Sequence, residues 1–421
     1  MSFATTGEKS TSQFVVFLAY AYLFIFYTRI QDNIPGLSSF PWVGALSLLF
    51  AILGGWLFLT SKKGLLTAPV GLVFWLGILF GISGIGAVST VSFQLSIYWI
   101  LTIFMQCTAW VIVFSSVDRF YKLHHFWVII YCVMAIFTIK NAPSGPGYFT
   151  QDANDACLAL GMGIPFAFYA LYQKNVSNKR RYFYCAVLVL LFVGIIATSS
   201  RGGFLGMVAG FLAIWWMGRN RLKFAMLGLL GVGIAGGAFL SFMPEDYVKD
   251  MQSISDTENS TRIERLRTWE IGFEMFKANP FLGVGAGNFP NTVHLYQHKT
   301  SWWTGRERSL SGRQAHSIYF QVLPDLGLVG LSIYFYIMFI LPLRLLRMTK
   351  RFDTTDLIQL QIKLFCQALI ASMAVYAVAG AFISVAYYPH IPIWLAMYTI
   401  TICVIKKTCG EAFLRTDNKQ T

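Results

Sequence analysis

Six arginines and a histidine mark the most polar stretch of this chain: Arg262, Arg265, Arg267, Arg306, Arg308, Arg313 and, closing it, His316. The stretch runs from about Met243 to His316 and is set between segments too apolar to belong in water. A guanidinium is a permanently charged fork that holds phosphate or carboxylate oxygens in two-pronged hydrogen bonds. A histidine beside such charges is expected to have its pKa depressed, which keeps the ring neutral and able to accept a proton near pH 7. Anion binding coupled to proton removal is therefore the chemistry these residue types allow.

Spacing separates the candidates. Arg265 lies four residues before Trp269, so on a helix the two share a face and the indole could shield or stack on the guanidinium. Arg262 lies one turn earlier; it and Arg267 read equally well as a solvated basic face. Arg201 stands in Thr198-Ser199-Ser200-Arg201-Gly202-Gly203, between two apolar runs too close for a true extramembrane loop. It either snorkels onto lipid headgroups or faces a site that admits an anion, and the flanking serines and glycines favour a phosphate contact. His316, in Gln314-Ala315-His316-Ser317-Ile318-Tyr319-Phe320, sits where the polar stretch meets an apolar helix, a position that makes an ionisable group a site candidate. His294 and His298 have the spacing of one helical turn, but no glutamate completes a zinc pattern and the local sequence is not clearly helical, so no metal site is expected. Asp152 and Asp155 could bind a cation or cap the next helix, and capping is the safer reading. Gly283, Gly285 and Gly287 have no strand before them to make a nucleotide fold and imply tight turns or close backbone approach.

The elements that carry these residues follow from composition. A chain of 421 residues that is 56% hydrophobic and only 12% charged is not an ordinary soluble domain. Each crossing of a hydrocarbon core needs roughly 20 apolar residues, so about twelve crossings fit. Long continuous apolar runs without strict alternation favour helices over a barrel. The fold class expected is all-α: a polytopic transmembrane helical bundle whose spans begin around Phe14, Pro41, Leu65, Val91, His124, Asp155, Arg181, Gly202, Phe224, Ser317, Ile358 and Ile391. One large outward loop contains amphipathic helices, the clearest over Thr261 to Asn279. Three parts result: residues 1–243, with nine spans; 244–316, the polar insert; and 317–421, with three spans and a tail. No internal repeat is visible, and the first apolar run reads as a retained helix rather than a removable signal.

A net charge of +14 might suggest nucleic acid, but the positives are distributed through short loops. Alternate connections carry Lys62 and Lys63; Arg119 and Lys122; Lys174, Lys179, Arg180 and Arg181; Arg219, Arg221 and Lys223; and Arg344, Arg347, Lys350 and Arg351. Lys406, Lys407, Arg415 and Lys419 follow in the tail. The opposite short loops hold little beyond Arg29, Lys140 and Arg201. This asymmetry predicts cytoplasmic termini and an insert on the outer face, the periplasm in a bacterium. The seven cysteines suggest neither a disulfide framework nor a zinc site.

Three strings taken together resemble the bacterial O-antigen ligase and polymerase family. They are Thr198 to Gly203; Arg265 and Trp269 followed by Pro280-Phe281-Leu282-Gly283-Val284-Gly285-Ala286-Gly287-Asn288-Phe289; and His316 through Gly330. Family members commonly have Asn after the histidine and Glu before the leucine-glycine pair, where this chain has Ser317 and Asp325. The resemblance implies a metal-independent, inverting glycosyltransferase of the inner membrane with a periplasmic active site and no cofactor. Its donor would be an undecaprenyl-diphosphate-linked glycan and its acceptor, in a ligase, lipid A-core oligosaccharide. Arg201, Arg265 and His316 are the functional positions it carries over, the first two holding the donor diphosphate. Arg262, Arg313 and Trp269 are further candidates for substrate contact. An O-antigen polymerase and a protein O-oligosaccharyltransferase share the fold and donor type. Outside the class, a transporter would need midplane charges and repeat symmetry, of which the sequence offers little.

Overall fold

A computed structural model describes residues 12–61, 64–87, 89–174, 176–218 and 260–415. Among them helix is the dominant regular structure, and there is no β-strand. Seven helices are long and apolar enough to cross a membrane, and three shorter apolar helices accompany them. In chain order the main elements are α1 (Gln13–Thr28), α2 (Trp42–Thr60), α3 (Gly71–Ala87), α4 (Thr90–Phe114), α5 (Val117–Asn141), α6 (Ala153–Ala170), α7 (Asn178–Ala197) and α8 (Arg201–Met217). After them come α9 (Ser260–Ala278), α10 (Phe289–Tyr296), α11 (Ile318–Thr349), α12 (Leu357–Ala379) and α13 (His390–Cys409). The chain is a multi-pass membrane protein.

Polar side chains start several of these helices by accepting from otherwise unpaired first-turn N–H groups: Ser177 for α7, Ser200 for α8, Asp356 for α12 and Asp152 for α6. Asp152 is thus the cap that the sequence favoured. Helices begin near eleven of the twelve expected positions, while the span placed at Phe224 lies outside the described residues. So do Lys62, Lys63, Arg219, Arg221, Lys223, Lys419 and the insert before Ser260. Two expectations need correction. Several basic residues placed in connections sit on helix ends instead: Arg119 and Lys122 on the first turns of α5, Lys179, Arg180 and Arg181 on the first turn of α7, and Arg344 and Arg347 on the last turns of α11, because these helices run past their apolar stretches. His294 and His298 lie in α10 and the 3₁₀ turn that follows it, so the local sequence is helical, opened by Pro290 in its first turn. Both histidines are exposed.

Helices α6, α12 and α13 form the inside of the bundle, and α2 is almost wholly peripheral. Small residues let the inner helices meet, since burial against lipid and burial against protein differ little in hydrophobic free energy. A methyl group at Gly206 of α8 would lie 2.7 Å from Ala379 Cβ, and one at Gly203 would collide with Cys157 of α6. Among the described residues, the basic connections after α6 and after α11 and the chain after α13 meet at one end of the bundle, where Lys174 Nζ donates to Thr354 O at 3.0 Å and Arg351 Nη1 to Phe413 O at 2.7 Å. The starts of α6, α8, α11 and α13 gather at the other end.

Helix α11 is broken at Gly327, whose φ of 62° and ψ of −158° leave the helical region. The groups this break frees are taken up by the glycine-rich turn that precedes α10. Val284 N donates to Pro324 O at 2.8 Å and Gly285 N to Asp325 O at 3.0 Å, while Leu328 N donates to Pro280 O at 2.8 Å. Irregular backbone inside a membrane protein persists where other protein satisfies it, as here.

Candidate functional site

His316 immediately precedes Ser317, the residue at the N-cap position of α11, and its φ of 48° is one of four positive values at non-glycine residues among those described. Such a conformation is held only when the surroundings determine it. They do so through Trp269 on α9, whose Nε1 donates to the carbonyl of Ala315 at 2.8 Å while its ring stacks on Phe320, 4.7 Å away and 1° from parallel. Trp269 therefore clamps the backbone on both sides of His316. The indole that could have stacked on Arg265 stacks on Phe320.

Arg265, one turn before Trp269 on the same helix, is partly buried, and its Nε is a fully buried donor without a protein partner. Burial, and then the Arg201 guanidinium, push its pKa down from the ordinary arginine value. The two arginines, 64 residues apart in sequence, are thus brought into one electrostatic neighbourhood. Arg201 is the first residue of α8, where the helix dipole already favours negative charge.

The His316 ring opens into a cavity, so it is exposed by area, yet protein withdraws water from enough of it to matter. Burial and then the Arg265 guanidinium hold its pKa below the ordinary histidine value, with Arg313 adding to this and Glu264 and Asp152 opposing it. Neutral imidazole is thereby the dominant form near pH 7.

The cavity measures about 840 Å³. Buried apolar side chains, among them Phe26, Trp99, Ile103 and Phe149, line one part, and exposed polar ones, among them Asp152, Gln314 and His316, line another. Asn154 bridges this wall to the start of α8: its amide donates to Asp152 Oδ1 at 2.9 Å and its oxygen accepts from Ser200 Oγ at 2.7 Å.

Of the other candidates, Arg313 pairs with Glu264 across 2.9 Å, Arg262 is exposed on α9, and Arg306 and Arg308 are exposed in the loop after α10. Arg267, partly exposed, lays its guanidinium 4.6 Å over the Trp302 ring. The glycines behave as expected: Gly283, Gly285 and Gly287 have φ of 70°, 101° and 69°. A methyl at Gly283 would strike the Asp325 backbone, and one at Gly285 would lie 2.7 Å from Ser92 Oγ.

Sequence reasoning missed what fastens this turn. Asp325, fully buried, accepts from Gly287 N at 3.0 Å, Phe289 N at 2.9 Å and the Tyr387 hydroxyl at 2.8 Å. Ser83 and Ser92 grip Ala286 from the first half of the chain, the former accepting from its N–H at 3.2 Å and the latter donating to its carbonyl at 2.9 Å. A carboxylate inside an apolar run was the one available signal.

No curated protein matches the chain. Residues 186–335, from α7 through the insert and into α11, match the family described as O-antigen ligase. That stretch contains Arg201, Arg265, the glycine-rich turn and His316. On this match the chain carries the domain of the O-antigen ligase/polymerase family.

Proposed function

We propose that the chain is an O-antigen ligase, moving a glycan from undecaprenyl diphosphate to lipid A-core oligosaccharide at the periplasmic face of the bacterial inner membrane. The observation that carries this reading is a chain of charge: the Arg201 guanidinium acts on Arg265 and Arg265 acts on His316, which lines the cavity, while a buried Arg265 donor is left unpaired by protein. As the bond from the anomeric carbon to the donor diphosphate breaks, negative charge grows on the leaving oxygen. Two fixed guanidiniums stabilise it where water is scarce. Neutral His316 takes the proton from the acceptor hydroxyl, whose oxygen attacks the anomeric carbon from the face opposite the diphosphate and inverts it. The leaving group departs as undecaprenyl diphosphate, and the proton on His316 passes to solvent. Driving force comes from the diphosphate ester, so no cofactor is consumed. The lipid parts of donor and acceptor remain in the bilayer, which accounts for building the site at the ends of membrane helices.

The test incubates purified protein with a lipid-diphosphate glycan, with and without lipid A-core, and follows the glycan on a gel. Transfer that requires lipid A-core is the expected result. Elongation of the lipid-linked glycan in its absence would replace this reading with a polymerase, and no transfer under either condition would refute it.

A further inference from the structure

Tyr98 and Tyr148 stand on the cavity that His316 also lines, both exposed, with their hydroxyls close enough to influence one another. They come from different elements, α4 and the loop between α5 and α6. Tyr148 has a φ of 50°, so the loop places its ring at the cost of an unfavourable backbone. Three contacts hold it there. The Arg29 guanidinium lies 5.1 Å over the Tyr148 ring, and Arg29 is itself fixed by Asp32, its Nε donating to Oδ2 at 2.6 Å. Thr150 Oγ1 donates to Gly147 O at 2.9 Å, and Asn33 Nδ2 donates to Pro146 O at 2.8 Å. An interfacial tyrosine that only anchors the protein in headgroups needs no such support.

Beside the rings, the same cavity presents the Gln94 amide and the Asp152 carboxylate. Flat apolar faces flanked by groups that donate and accept hydrogen bonds match a pyranose, which has C–H faces and a rim of hydroxyls. We infer that Tyr98 and Tyr148 form a sugar-stacking wall that binds the glycan part of a substrate. The inference deepens the proposed reaction and rests on it for the choice of ligand. The two possible sources are the acceptor core and the donor repeat.

The test uses the full chain in detergent and two lipid-free probes: core oligosaccharide released from lipid A, and O-antigen oligosaccharide released from the lipid diphosphate. Binding is read by saturation-transfer NMR on the sugar protons. At least one probe should bind wild type, and the one that binds identifies the source. Tyr148→Ala should weaken that binding about tenfold, whereas Tyr148→Phe, which keeps the ring, should bind within about twofold of wild type. Trp56→Ala, exposed on α2 away from the cavity, should bind as wild type does. Equal binding by wild type, Tyr98→Ala and Tyr148→Ala, or binding of neither probe to wild type, overturns the wall. Thermal unfolding checks that each variant is folded. Sugar binding that depends on Tyr148 in a protein that transfers no glycan would uphold the wall and refute the proposed reaction.

Discussion

The proton balance at His316 depends on charges contributed by three separate segments. Arg265 lowers its pKa and Asp152 raises it, on top of the lowering by burial. The acid limb of the transfer rate should therefore fall below the ordinary histidine pKa of about 6.5. Asp152→Asn removes a charge that favours imidazolium while keeping a residue that can cap α6. Its acid limb should move further down in a pH profile of kcat/KM, and an upward move would argue against His316 as the base. Arg265→Ala should lower kcat by about 10²- to 10³-fold, the usual loss when one fixed charge-stabilising donor is removed. Protein recovered from the membrane should be unchanged, and normal product at normal expression would remove Arg265 from the reaction. These residues were legible in sequence because guanidinium and imidazole groups are scarce at the edges of apolar runs. Their partners were not. The Arg313 to Glu264 pair and the Trp269 stack on Phe320 span 49 and 51 residues, and no local periodicity encodes them.

One turn and one broken helix hold each other in the irregular shape that the site needs. The glycines of 283–287 announced a tight turn in the sequence, whereas the break of α11 at Gly327 was not anticipated. That these two irregularities satisfy one another, through Asp325, could not be read from either alone. Asp325→Ala would leave two backbone N–H groups and the Tyr387 hydroxyl without their acceptor. Each such buried orphan costs about 1–3 kcal/mol, so thermal unfolding in detergent should show a loss of at least about 3 kcal/mol. Asp325→Asn, which keeps one acceptor oxygen, should lose less. Unchanged stability in the alanine variant would mean that the turn does not depend on this carboxylate.

At the scale of the molecule, the described basic connections and the candidate site occupy opposite ends of the bundle. Hydropathy made the membrane helices legible, because a run of about 20 apolar residues fits the thickness of a bilayer and few other surroundings. The cavity between α1, α4, α11 and the chain around Tyr387 was not, since its walls come from helices far apart in sequence. The charge asymmetry predicts that Ser311→Cys, in a cysteine-free background, reacts with a membrane-impermeant maleimide in spheroplasts. Thr355→Cys should react only after lysis; the reverse pattern would invert the orientation. The glycine-rich turn also bears on how the protein is made. Ala286 bonds to Ser83 and Ser92, which leave the ribosome roughly two hundred residues ahead of it, whereas Val284, Gly285 and Gly287 bond to Pro324 and Asp325, which emerge some forty residues behind it. A nascent chain whose turn has already emerged still lacks half of its fastenings until α11 has followed it. The site is therefore completed late in synthesis, and a ribosome stalled before Asp325 would hold a chain with its arginines delivered and its histidine unsupported.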